Sequence, residues 1–129
     1  MRVHDNAFLA LIRADPVLAP VVFEGTVKNR PDLYVSVFAR ESRSSNRYTG
    51  PHSYLDSEYV VHSVALSPEG AKSARERMLS RTLDVVPQIA GWSCRPVRFV
   101  TSQPLQMDRD TSPPLFYMVD VLAFGAQAV

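Results

Sequence analysis

The sequence predicts an α+β fold, a mostly antiparallel sheet of four to five strands with two helices packed on one face. Three observations carry that expectation. Apolar residues recur at helical spacing in two windows, one near the start of the chain and one after Ser67. Runs rich in β-branched and aromatic residues fill Leu33 to Glu41, Ser57 to Leu66, Arg95 to Ser102 and Leu115 to Phe124. Ten prolines against five glycines supply stiff, extended corners that restrict long helices to those two windows. With 129 residues and 46% hydrophobic content, residues 1–129 read as a single domain around one modest core.

The first helix is expected from Asp5 to Ala14, where Phe8, Leu11 and Ile12 share a stripe and Asp5 or Asn6 can cap the free amides. Pro16 disfavours the helical conformation at Asp15 and ends the element. Val21 to Val27 is short and β-prone, and Asn29 to Asp32 reads as a turn. From Leu33 the pattern alternates, with Leu33, Val35, Val37 and Ala39 on one face and Tyr34, Ser36, Phe38 and Arg40 on the other. The stretch Glu41 to Asp56, ESRSSNRYTGPHSYLD, has the composition of a long solvated excursion. The run EYVVHSVAL that follows is apolar on both faces, as a central strand would be with a helix on one side and a loop or neighbouring subunit on the other.

Ser67-Pro68-Glu69 opens the longer helix: serine caps, proline has no donor to lose at the first position, and the carboxylate meets the positive end of the dipole. The helix is expected to reach about Leu83, with Ala71, Ala74, Met78 and Thr82 inward. Asp84 to Ser93 is apolar but broken by Pro87 and Gly91, so it reads as a loop that wraps the core with Trp92 as anchor. The last two strands are expected to be joined by a second exposed excursion, TSQPLQMDRDTSPP.

Composition narrows the function classes. Fourteen Lys and Arg against 13 Asp and Glu leave a net charge of +1, without the excess of a dedicated nucleic-acid binder. The one cysteine, Cys94, rules out an intramolecular disulfide and a multi-cysteine zinc site and suits a reducing compartment. The opening apolar run is too short for a signal-peptide core or a membrane span. His4, His52 and His62 show no ligand spacing, so no metal site is expected. No glycine-rich turn of the phosphate-binding kind occurs, and no cofactor is implied.

Candidate functional residues are therefore interface residues. Arg40, Arg43, Arg47 and Tyr48 interleave basic and aromatic side chains, as surfaces gripping phosphates or acidic protein rims do; a mobile polar loop is the alternative. Arg75, Arg77 and Arg81 on the longer helix read either as a solvated face or as ion-pairing arginines between subunits. Asp108, Arg109 and Asp110 form a compact charged cluster, better read as a solvated hairpin tip than as acid–base machinery. His62 and Cys94 are a conceivable nucleophile pair, against the plainer reading of Cys94 as a small buried hydrophobe beside Trp92.

Taken in order, these segments resemble the tail terminator, or tail completion, proteins of phages with long non-contractile tails. DNAFLALIRADPVLAPVV is similar to that family's opening helix and proline corner, of the type LLALLRADPAL. RPDLYVSVFARES resembles its LPYVVY strand, followed by Tyr48, Gly50 and Pro51 where a Tyr-x-Gly-Pro often stands. SEYVVHSVALSPEGAKSARERML resembles the family's central strand running into an alanine- and arginine-bearing helix, and PLFYMVDVLAF its closing strand. The resemblance implies a non-enzymatic virion protein, made in the host cytoplasm, that forms a homohexameric ring at the head-proximal end of the tail. Its implied partners are further copies of itself, the tail tube protein and a head-side connector or stopper, with DNA only passing through the lumen and no membrane contact.

Three other functions fit the sequence. A neck adaptor or tail-tube subunit shares the small α+β architecture and ring symmetry. A small ligand-binding or hydrolytic domain would use His62 and Cys94, and a nucleic-acid module would use the loop arginines with Tyr48.

Overall fold

Residues 2–40, 43–45 and 54–129 are described by the computed structural model, with backbone alone for 43–45. The element order is α1 (Arg2–Arg13), β1 (Val22–Glu24), β2 (Leu33–Ala39), β3 (Arg43–Ser45), β4 (Tyr54–Ala65), α2 (Pro68–Thr82), β5 (Trp92–Cys94), β6 (Arg98–Asp108) and β7 (Leu115–Ala128). The fold is α+β, and both helices pack on one face of the sheet.

The sheet runs β1-β2-β4-β7-β5. Every pairing is antiparallel except β1 with β2, which is parallel. Because β4 pairs β7 along its whole length, β2 and β3 must share its other side, and β5 and β6 likewise share the outer side of β7. Seven strand segments thus make a sheet five ranks wide among the described residues.

Strand parity divides the side chains. Val35, Val37, Tyr59, Val61, Leu122 and Phe124 lie towards the helices and join Phe8, Ile12, Ala74 and Met78 in the main core. The inward stripe of α2 is Ala71, Ala74, Met78 and Thr82, as the spacing predicts. Ser67 accepts from the Gly70 amide at 3.0 Å. A Cβ on Gly70 would stand 2.9 Å from the Ala65 Cβ, so glycine lets the first turn of α2 close onto the end of β4.

The first helix starts earlier than expected, at Arg2, and Asp5 lies within its first turn rather than at its cap. There the carboxylate accepts from the Tyr59 hydroxyl at 2.9 Å, and burial with this bond pushes the phenol far above its ordinary range. Phe8 stacks on Tyr59 at 4.2 Å. Trp92 does anchor its segment: it meets the fully buried His4 ring edge-on at 4.5 Å. Three residues from Trp92 also form the strand β5, where a plain loop was expected, because the last strand continues to Ala128 and offers Ala126 to Ala128 as partners.

The second expected excursion needs the larger correction. Strand β6 continues through Pro104 to Asp108, and only 109–114 turn back. Two register shifts, between Phe99 and Thr101 and between Gln103 and Gln106, take up the irregular residues, and the outer rank of a sheet tolerates a residue without an amide donor. Within the first excursion, 43–45 pair with 54–56, so β4 begins at Tyr54; Arg47 and Tyr48 lie outside the described residues.

Candidate functional site

Among the described residues, the second face of the sheet carries no helix. Across it lie Tyr34, Ser36 and Phe38 of β2, Val60, His62 and Val64 of β4, and Tyr117 and Val119 of β7, brought level by the register. Phe38 meets His62 at 5.1 Å, and His62 lies nearly parallel to Tyr117 at 6.3 Å, so an aromatic strip crosses three strands. Phe38 is 36% exposed, while His62 and Tyr117 are half-buried. A small second core of Val27, Tyr34, Val64 and Leu115 closes one end.

Three clefts of about 140, 270 and 250 Å³ adjoin that end, and Arg30 lines all of them. Burial raises the Tyr34 phenol, with the Arg30 charge working against the rise and Asp108 adding to it. Burial lowers the His62 imidazole. At the opposite end the face becomes charged: Arg40 bonds Glu58 at 3.1 Å and Arg98 bonds Asp56 at 2.8 Å. The face therefore passes from an aromatic middle to salt-bridged and cationic ends, the composition of a protein contact surface.

The sequence-predicted residues distribute as follows. Arg40 lies at the charged end, and the Arg43 backbone pairs with Asp56 beside it. Asp108 ends β6, where its carboxylate accepts from the Asp110 amide at 3.0 Å and its carbonyl from the Thr111 hydroxyl at 3.2 Å. Arg109 and Asp110 are exposed in the turn so formed. The three helix arginines reach carboxylates within the chain. Arg75 Nε donates to both Asp120 oxygens at 3.0 and 2.9 Å, and Arg77 and Arg81 approach Asp15 at 3.4 and 3.7 Å.

Two carboxylates in these pairs escaped sequence reasoning. Asp120 is fully buried in the middle of β7, and burial raises its pKa although Arg75 opposes the shift. Its signal was a lone charge at an inward position of LFYMVDVLAF, which demands a cation from elsewhere in the chain. Asp15 accepts from the amides of Val17 and Leu18 at 2.9 and 3.3 Å. Burial works to raise its pKa, but these amides and Arg77 outweigh burial and hold it below the ordinary range.

His62 and Cys94 lie on opposite faces of the sheet, since Cys94 pairs with Ala126 and packs on the helix-side core while His62 belongs to the uncovered face. They cannot form a nucleophile pair. Burial raises the Cys94 thiol, away from the reactive thiolate. Among the described residues no group of three or more His, Cys, Asp or Glu is placed to hold a metal ion. Among the described residues no helix is long and apolar enough to cross a membrane.

No protein-family model and no curated protein matches the chain. Among solved structures, the fold is similar to that of a chain from the virion of a native gene transfer agent particle, with a TM-score of 0.69 and 15% identity. That likeness covers 94% of this chain and 92% of the other. At such identity it is a likeness of fold.

Proposed function

We propose that the protein is a structural subunit of a phage-like virion, forming a hexameric ring at the head-proximal end of the tail. The ring stops tube polymerisation and offers the surface to which the head joins. The observation that carries this reading is the likeness of fold, over nearly the whole chain, to a chain of a gene transfer agent virion. The uncovered sheet face supports it, because its aromatic strip is only half-buried in a lone subunit and gains from being covered.

The geometry also suits two simultaneous partners. Strand β4 starts beside the end of β2 at one end of the sheet and the 109–114 turn stands at the other, so a tube protein and a head-side connector or stopper can be met at different ends. A ring closes when one heterologous contact repeats around an axis, and DNA passes through its lumen without being read. No bond is made or broken, and no cofactor is called for. A neck adaptor or tail-tube subunit is the second reading, favoured by the same fold and surface.

Antibody labelling of intact particles, located by electron microscopy, separates them. A single band of label at the head end of the tail supports the terminator. Label along the whole tail makes the protein a tube subunit, label on the head side of the junction makes it an adaptor, and unlabelled particles overturn the virion assignment.

A further inference from the structure

The connection between β1 and β2, residues 25–32, lies over one end of the uncovered face and is fastened at both of its own ends. The Gly25 amide donates to the Val37 carbonyl at 2.9 Å, and the Leu66 amide donates to the Asp32 carbonyl at 3.2 Å. Gly25 has φ of 79°, a turn conformation that glycine adopts without steric cost. Between these ties Val27 is buried in the small second core with Tyr34, Val64 and Leu115. The connection is thus held down on the sheet. It carries Arg30, which is exposed and whose guanidinium makes no ion pair or hydrogen bond among the described residues.

Two adjoining clefts of this face have Arg30 in their walls and differ in charge. The smaller, about 140 Å³, runs from Thr26 and Arg30 past Tyr34 to Phe38 and His62, and no carboxylate lines it. The larger, about 270 Å³, shares Arg30, Tyr34, His62 and Val64 with it and continues to Tyr117 and Asp108. A space of about 150 Å³ takes one benzene-sized group, whereas pockets for cofactors and other small molecules begin at about 300 Å³. The smaller cleft is therefore the size of a single side chain. Burial keeps the Tyr34 phenol protonated and disfavours charge on His62, which leaves Arg30 as the one formal charge on the walls of that cleft. Asp108 makes no ion pair with Arg30, and its carboxylate is engaged by the Asp110 amide.

We infer that the smaller cleft receives an acidic side chain, Asp or Glu, from an extended segment of another virion protein, with its carboxylate on Arg30 and a neighbouring apolar side chain of that segment in the larger cleft on His62 and Tyr117. An arginine with its fork unoccupied offers two parallel bonds to a carboxylate, and walls of aromatic rings exclude water from them. The larger cleft reaches Asp108 and Leu115, beside the 109–114 turn. On the function proposed above, which this inference deepens and rests on, that end of the sheet meets the tube or the connector rather than a further copy of this chain.

The test places a photoreactive benzophenone amino acid at Thr26, an exposed residue of the smaller cleft, in the full-length chain within particles, and identifies the cross-linked peptide by mass spectrometry. The expected product joins Thr26 to one segment of a different virion protein, within a few residues of an Asp or Glu. Arg30→Glu should then lower incorporation into particles by about tenfold or more, and reversing that acidic residue to Arg in the partner should restore it. Arg30→Met should weaken incorporation while leaving the midpoint of thermal unfolding of the isolated chain unchanged, because Arg30 has no partner within the chain to lose. Particles that contain the chain but give no cross-link, a cross-link to a second copy of this chain, or a segment without an acidic residue overturn the docking and leave the virion reading standing. Normal incorporation of Arg30→Glu, or a loss that the partner's reversal does not rescue, overturns it too. Absence of the chain from particles overturns both the docking and the virion reading.

Discussion

His4 is fully buried between Trp92 and Phe124, with both ring nitrogens unpartnered. Burial holds its pKa below the ordinary value, with Asp5 working the other way. The folded state therefore binds fewer protons than the unfolded chain, and stability is complete above the unfolded histidine pKa and falls as pH drops below about 6.5. His62 contributes in the same direction. His4→Phe should flatten that fall, measured by urea unfolding at about pH 7.5 and about pH 5; an unchanged slope would mean that His4 titrates normally. Asp120 behaves oppositely. Arg75→Met leaves a buried carboxylate without its cation and should cost about 3 kcal/mol at neutral pH. Because the Asp120 pKa is raised, the folded carboxyl takes up its proton first in acid, so the deficit should shrink as pH falls towards that pKa. At Gly125 a Cβ would overlap the Tyr54 hydroxyl and come within 2.6 Å of Cζ. Gly125→Ala should therefore displace the ring lying over it and cost about 1 kcal/mol or more, and Tyr54→Ala in the same chain should remove most of that difference. Neither carboxylate pair was legible in the sequence, because Arg75 and Asp120 stand 45 positions apart and no local pattern joins them.

The elements differ in how plainly the chain announces them. Helix α2 was readable because three local signals agree at its start, and its apolar stripe then fixes the inward face. Ser67→Ala should cost about 1 kcal/mol in chemical denaturation through the lost cap. Helix α1 was misplaced at its start because Asp5 resembles a cap, whereas tertiary contact engages its carboxylate with Tyr59. Strand β6 was cut short because Pro104 and the charges after it have the composition of a loop. Its place on an outer rank, with two register shifts, makes proline admissible there, and such a place is not written in local sequence. The uncovered face, by contrast, was foreseeable from β4, whose residues are apolar on both sides although only one side receives helices. A charge placed in the middle of that face tests its role: Phe38→Asp, at a position already 36% exposed, should leave the midpoint of thermal unfolding nearly unchanged while preventing incorporation into particles.

At the scale of the molecule, one sheet separates two kinds of surface. The helix side holds the main core and the ion pairs of Asp120 and Asp15. The other side carries the aromatic strip of Phe38, His62 and Tyr117, which the proposed function gives to partners. On the proposed reading, a subunit so divided serves a ring that caps a tube. The direct measurement is electron microscopy of particles made with this gene deleted, scoring tail length and head attachment. Termination predicts overlong tails of variable length beside unattached, filled heads. Tails of normal, uniform length would contradict it and move the protein to the head side of the junction, and intact, joined particles would remove it from assembly altogether.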